Sequence, residues 1–317
     1  MQPNIVFLDE YSLGGADLGS IRALGNYTGY ETTAREEVVE RCREADVAIT
    51  NKVVFRRETL RQLPRLRLIC AAATGMNHID LDAAAEQGIA VRNAVGYSTH
   101  AVTETTIGAA IGLLRQVVYY DRYVKSAYAG SSRQYHFGRT THQLHGSKWG
   151  IVGLGNIGRS VARAAEALGC EVAYTSTSGV VREEPYPALP LDELLRRSDV
   201  VSIHAPLTDR TRGLIGAREL SLMKPSAILV NVARGGIVDE DALYEALRGK
   251  VISGAIIDAY SQEPLTASPL FSLDNVILSP HAGAFTTDAL NAMSRMSVDQ
   301  LFQYVDGATP DNLVTAE

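Results

Sequence analysis

Cysteine is scarce in this chain. Cys42, Cys70 and Cys170 are far apart and odd in number, with no CxxC pair. Neither a disulfide framework nor a zinc site is expected from them. Three thiols packed as small hydrophobes, in a reducing cytoplasm, is the reading they support. Long apolar runs are missing too, so no membrane span is expected. Nor is there an excess of positive charge: the net charge of −6 offers no basic field to a nucleic-acid backbone. The start, "MQPNIVFLDEY", enters a strand almost at once, without the cationic region, long apolar core or cleavage site of a secretory signal.

What is present is an alternation of strand-like and helix-like segments, which predicts an α/β fold with parallel sheets. The first hundred residues supply the strands "NIVFL", "DVAIT", "LRLICAA" and "IAVRN", with helical stretches "REEVVERCREA" and "LDAAAEQG" between them. A second series runs "KWGIVGLG", "CEVAYT", "DVVSIHA", "AILVNVA", "SGAIIDA" and "NVILSPH". With 317 residues there is length for two domains, each with its own core. Residues 101–145 lie between the two series. They read as one amphipathic helix, "VTETTIGAAIGLLRQVVYYDRYVKSA", followed by the irregular "YAGSSRQYHFGRTTHQLHG". The histidines and tyrosines of that segment fit no zinc spacing, so a solvated or subunit-contacting arm is expected. A last helix, "TTDALNAMSRMSVDQLFQYVDG", suggests that the chain returns to its first domain. The expected division is residues 1–100 with 286–317 against residues 101–285.

"GIVGLGNIGRSVARAAEALGCEVAYT" holds Gly153, Gly155 and Gly158 in GxGxxG spacing. The motif follows an apolar strand, opens an Ala-rich helix and returns to a strand, the context that dinucleotide binding requires. Gly153 permits the turn, Gly155 lets the backbone approach a pyrophosphate, and Gly158 allows close helix–strand packing. The helix N-terminus, starting at Asn156 and Ile157, supplies free N–H groups and a positive dipole. One element is missing. Where an acid normally takes the ribose hydroxyls of NAD, this chain has Thr175, Ser176, Thr177 and Ser178. Neutral hydroxyls neither repel a 2′-phosphate nor offer it an arginine, unless Arg182 folds back. NAD and NADP both remain open.

Ligands of open α/β sheets bind outside the carboxyl ends of the strands. Those ends read "HAP" (204–206), "ARGG" (233–236), "DAYSQEP" (258–264) and "SPHAGA" (279–284). They gather Arg234, Asp258, Glu263 and His281. An arginine where the buried strand "ILVNVA" ends must be solvated, paired or kept for a ligand, and glycines 235 and 236 after it would leave room for one. This set suits hydride transfer to a carbonyl beside a carboxylate. Histidine can supply the proton for the forming alkoxide, a carboxylate can orient it and favour the imidazolium, and a guanidinium matches a carboxylate in bidentate fashion.

Over essentially its whole length the sequence resembles the D-isomer-specific 2-hydroxyacid dehydrogenases. "GLGNIGRSVA", "LVNVARGGIVDEDAL", "DAYSQEPL" and "ILSPHAGAFT" stand in the family's order and spacing. The resemblance implies a Rossmann-type dinucleotide domain inserted in a discontinuous, flavodoxin-like substrate domain. It implies Arg234 as the substrate-binding arginine, Glu263 as the carboxylate paired to the histidine, and His281 as the acid/base. Asp258 would hold the nicotinamide carboxamide and Thr106 would contact the cofactor phosphates. The strand-end residues His204, Ala205, Pro206, Thr211, Val232, Ala233 and Gly283, with Thr175, Ser176 and His281, complete the expected cofactor set. "AATGMN" looks like the family's substrate loop, where Thr74 and the backbone N–H groups of Gly75 and Met76 would grip the carboxylate. Asn51 and Lys52 either reach a terminal hydroxyl of the substrate or cap a strand end. "ITNKV" and "ATGMNHIDLDAA" look like the glycerate dehydrogenase/hydroxypyruvate reductase group, and a dimer joined through residues 101–145 is implied. The chain departs from the pattern at Thr103 and Thr105, where a small residue and a histidine are usual, and at Ser261, where an acid is common. Relatives of the same fold that oxidise formate or phosphite share the arginine and the histidine, and the glycerate-type loops count against them. A dinucleotide-sensing corepressor is the remaining alternative; such proteins carry terminal extensions, whereas this chain ends soon after its last helix.

Overall fold

The computed structural model describes residues 2–130, 132–180 and 183–305. Two compact units are formed, one from residues up to Ser98 together with Phe285 onward, the other from Thr99–Ala284. Ser131, Arg182 and residues 306–317 lie outside the described residues.

The first unit is built on five parallel strands: β1 (Asn4–Phe7), β2 (Asn26–Gly29), β3 (Val47–Thr50), β4 (Leu68–Ala71) and β5 (Ala90–Asn93). Their order is β2-β1-β3-β4-β5, the flavodoxin-like arrangement. Every residue of β3 and β4 is buried, as expected of parallel strands covered on both faces. The helix Thr287–Val305 belongs to this unit, and its Met293 and Leu301 join the cluster of Ile5, Phe7 and Ile49.

The second unit has six parallel strands: β6 (Lys148–Val152), β7 (Glu171–Thr175), β8 (Val200–Ile203), β9 (Ile228–Asn231), β10 (Gly254–Ile257) and β11 (Val276–Leu278). In the order β11-β10-β9-β8-β6-β7, the direction of winding reverses between β6 and β8, so the crevice that takes a ligand opens there. Two apolar clusters hold this sheet. One gathers Val201, Leu229 and Ile257, the other Ile151, Val230 and Ile256.

Three features differ from the sequence reading. Strand β2, "NYTG", is an exposed edge strand with no apolar run to announce it. "REEVVERCREA" forms only a short 3-10 turn and the helix Val38–Cys42. The stretch expected as one amphipathic helix is two, Thr99–Leu114 and Val117–Ser126. Gln116 between them has a φ of 55°, a left-handed conformation that no right-handed helix continues through. Beyond the break the aromatic residues pack on one another: His136 stacks on Tyr123 at 3.6 Å and bonds the Tyr119 hydroxyl at 2.8 Å. The three cysteines are buried and free, and burial pushes the Cys42 and Cys70 thiols up to about 12. Among the described residues no helix is long and apolar enough to cross a membrane. No group of three or more His, Cys, Asp or Glu side chains able to hold a metal occurs among them.

Candidate active site

The glycine fingerprint sits at the β6/β8 crevice. Gly153 has a φ of 92°, and a Cβ on it would lie 3.0 Å from the Ala205 amide nitrogen and the His204 carbonyl oxygen. A Cβ on Gly158 would meet the Gly153 carbonyl oxygen at 2.3 Å, so this glycine sets how closely the helix Asn156–Ala167 packs on its strand. Gly155 differs, since a Cβ there would meet nothing within 4 Å. Its surroundings are open, and Gly155 and Asn156 are exposed at the helix start, with Ile157 half-buried. An open glycine at the N-terminus of a twelve-residue helix fits a pyrophosphate.

Around that crevice several expected cofactor residues prove to be shaping the loops. His204 is half-buried, and its desolvation drives the imidazole down to about 3. Its Nε2 lies 3.0 Å from Ser202 Oγ, which accepts from Trp149 Nε1 at 2.8 Å. Ser202 Oγ thus stands between the indole and the imidazole, and the histidine is neutral. Ala205 is buried and Pro206 exposed. Thr211 is buried, and its hydroxyl donates to the Pro206 carbonyl at 2.6 Å while accepting from the Thr208 amide at 2.8 Å. Thr106 has no exposed surface, and its hydroxyl donates to the Val102 carbonyl at 2.7 Å. The structure thus corrects the expectation for Thr106, because nothing of it remains for a phosphate. Its neighbour Thr105 instead reaches the Gly283 carbonyl at 3.2 Å. At the end of β7, Thr175 is buried and Ser176 half-buried, with Ser176 Oγ donating to the Val180 carbonyl at 2.8 Å.

The ends of the neighbouring strands β9, β10 and β11 carry the chemistry. Asn231 ends β9 and staples the turn beyond it: its Oδ1 accepts from the Ala233 amide and its Nδ2 donates to the Arg234 carbonyl. Val232 is buried within this turn, and Ala233 and Arg234 are half-buried. Arg234 Nη1 donates to the Ala233 carbonyl at 2.8 Å. Among the described residues Arg234 has no ion pair, so its guanidinium is not neutralised by Glu263. Gly235 has a different purpose from the one expected. A Cβ on it would fall 1.9 Å from the Tyr260 carbonyl oxygen, so glycine lets this turn pack on the backbone of the next.

After β10, Asp258 is buried, and its carboxylate accepts from the amides of Ala282 (2.8 Å) and Gly283 (2.9 Å) and from the Ser279 hydroxyl. These bonds fix the turn that carries His281, whose own φ is 56°. Tyr260 ties the same two strand ends, its hydroxyl lying 3.0 Å from the Ile257 carbonyl and 2.9 Å from that of Ser279. Ser261 bonds Glu240 through both its amide and its hydroxyl. Glu263 Oε1 accepts from the Tyr260 amide at 3.0 Å, and both its oxygens lie 2.9 Å from His281 Nδ1. A carboxylate only accepts, so Nδ1 carries the proton in this pair. Nε2 then has no hydrogen-bond partner among the described residues. Asn231, Tyr260 and Ser279, which hold these turns, carried no signal beyond lying at strand ends.

The other expected substrate residues belong to the first unit. The buried Asp9 carboxylate accepts from the amides of Asn51 (3.0 Å) and Lys52 (2.7 Å), and burial raises its affinity for a proton. Thr74 donates to the Ala94 carbonyl at 2.8 Å. Gly75 and Met76 follow, half-buried, and no acceptor for either amide is found among the described residues.

The family profile "D-isomer specific 2-hydroxyacid dehydrogenase, NAD binding domain" matches residues 107–283. A glycerate dehydrogenase of Methylorubrum extorquens is 39% identical, with both chains covered in full. A glyoxylate reductase of Aeropyrum pernix is 37% identical over 91% of this chain and 88% of its own. Among solved structures, an NADPH-dependent glyoxylate/hydroxypyruvate reductase from Sinorhizobium meliloti, in complex with NADP and malonate, superposes with a TM-score of 0.87. It is 26% identical, and 99% and 97% of the two chains are covered. The open glycine turn, the His281–Glu263 pair and these matches agree: the chain belongs to the D-isomer-specific 2-hydroxyacid dehydrogenases, NAD(P)-dependent oxidoreductases acting on CH–OH donors.

Proposed function

We propose that this chain interconverts hydroxypyruvate and D-glycerate and accepts glyoxylate as a shorter substrate. The names of its relatives support these substrates. The observation that carries the chemistry is the His281–Glu263 pair, beside the strand end of Arg234; among the described residues Nε2 has no hydrogen-bond partner and Arg234 has no carboxylate partner. When bound, the nicotinamide supplies the hydride. The protein's residues do the rest. Arg234 binds the substrate carboxylate through two N–H groups and polarises the neighbouring carbonyl. His281 gives its Nε2 proton to the forming alkoxide, and Glu263 orients the ring. The amides of Gly75 and Met76, which have no acceptor among the described residues, suit a carboxylate in the manner of an anion nest, with Thr74, Asn51 and Lys52 as further substrate-binding candidates. Gly153, Gly155, Asn156, Ile157 and Gly158 would hold the dinucleotide phosphates, and Asp258 the carboxamide while it anchors the His281 turn.

Replacing His281 with alanine is expected to lower turnover by roughly 10²–10⁴-fold, the usual worth of a positioned general acid, with cofactor affinity little changed. Wild-type turnover in that variant would remove His281 from this role. The reading includes a cytoplasmic homodimer. Val117, Val118, Val124, Tyr135 and Phe137 are all exposed, Phe137 at 92%, and a second copy of the chain is the partner that would cover them. Light scattering is expected to give twice the chain mass, and Phe137→Asp to shift it towards the monomer; a monomeric wild type contradicts the dimer.

A further inference from the structure

The loop after β7 holds a cation that the strand-end reading did not anticipate. Residues 176–180 follow directly from the strand whose end meets the adenosine ribose in dinucleotide folds. The loop itself carries no acid, only the hydroxyls of Ser176, Thr177 and Ser178. Ser176 Oγ lies 3.3 Å from Ser178 Oγ, and the Val180 amide donates to Ser178 Oγ at 3.4 Å. Across from it, Arg210, on the segment that follows β8, donates from Nη1 to the Ser178 carbonyl at 3.2 Å. A Cβ built on Gly179 would lie 3.9 Å from the same nitrogen.

The charges around this loop separate two arginines. Arg159, in the first turn of the fingerprint helix, is neutralised by Glu184, with Nε at 3.0 Å and 3.2 Å from its two oxygens. Arg210 has no ion pair among the described residues; its bond is to a neutral carbonyl, and its side chain is exposed. Its chain neighbour Asp209 is exposed and makes no bond to it. An exposed guanidinium with one uncharged partner, beside a hydroxyl-lined loop lacking the acid that selects a free ribose, is a phosphate-binding arrangement.

Resting on the dinucleotide reading of the Gly153–Gly158 turn, we infer that Arg210 recognises the 2′-phosphate of NADPH, so that this chain prefers NADPH to NADH. The guanidinium would bind the phosphate dianion from one side while the exposed Ser178 hydroxyl donates from the other. No residue of the catalytic set takes part.

The test titrates wild type, Arg210→Ala and Arg210→Lys with NADPH and with NADH, following the fluorescence of the reduced nicotinamide, without substrate. Wild type is expected to bind NADPH at least about tenfold tighter than NADH. Arg210→Ala should weaken NADPH roughly 10- to 100-fold, the loss of one or two charged hydrogen bonds, and leave NADH within about twofold. Arg210→Lys should restore part of the NADPH affinity, since a point charge replaces a fork. Equal affinities in wild type, a preference for NADH, or an equal loss for both cofactors in Arg210→Ala would overturn the assignment. The last outcome would mean that Arg210 only braces the loop through Ser178. Failure of wild type to bind either cofactor would instead overturn the dinucleotide reading itself.

Discussion

A guanidinium at the end of a buried strand can be solvated, paired or reserved for a ligand, and Arg234 is half-buried with a single backbone partner. Half-burial removes part of its hydration, while no ion pair among the described residues compensates its charge. A carboxylate arriving there restores both, which is why the fork geometry matters. Arg234→Lys keeps the charge and loses the fork. It is expected to lower kcat/KM for a 2-oxo acid by about tenfold or more, the scale of one charged hydrogen bond. Steady-state kinetics against the wild type check this, and unchanged kcat/KM would argue against bidentate recognition. His281 and Glu263 follow the same logic. Glu263 uses Oε1 on the Tyr260 amide as well as on the imidazole, so the ring's orientation is locked to the backbone of the turn after β10.

At the level of elements, three adjacent strand ends are joined by backbone contacts that only small residues permit. Gly235 lies against Tyr260 so closely that alanine would force the β9 and β10 turns apart. Gly235→Ala is expected to destabilise the protein by about 1–3 kcal/mol, as overpacking does, and to lower activity by displacing Arg234 or Glu263. Thermal unfolding and initial rates measure the two effects; a variant with wild-type Tm and rate would show that the turns have slack. This contact was not legible in the sequence, where the glycines seemed to make room for a ligand. The strands were legible, because a parallel strand buried on both faces is a continuous β-branched run, as in "ILVN" and "GAII". Strand β2 was not, being exposed and polar. The break at Gln116 was also hidden, since apolar periodicity continues across it and only the backbone dihedral reports it. Within the site, Arg234, Glu263 and His281 could be read from residue type and position. The roles of Asn231, Tyr260 and Asp258 in holding the turns depend on which amides fold back to them, which no spacing specifies.

Across the whole molecule, two histidines set a pH dependence of stability. Burial takes His204 down to about 3, and burial together with Lys52 and Arg56 takes His78 down to about 4. The unfolded chain therefore binds more protons than the folded one as pH falls below about 6.5, so stability drops from there towards pH 4. Asp9, whose affinity for a proton is raised by burial, works in the opposite sense, one group against two. The unfolding midpoint is expected to fall between about pH 7 and about pH 5, and the His78→Asn/His204→Asn double variant to flatten that fall. An equally steep loss in the variant would place its origin elsewhere. Whether the chain reduces small 2-oxo acids has a direct measurement. Loss of reduced-nicotinamide absorbance is followed with hydroxypyruvate, glyoxylate, pyruvate and phosphite offered separately, each oxo acid with NADPH and with NADH, and phosphite in the reverse direction. The highest kcat/KM is expected with hydroxypyruvate, with lower but measurable turnover of glyoxylate and none of phosphite; turnover of phosphite alone, or of no 2-oxo acid, would contradict a 2-oxo-acid reductase.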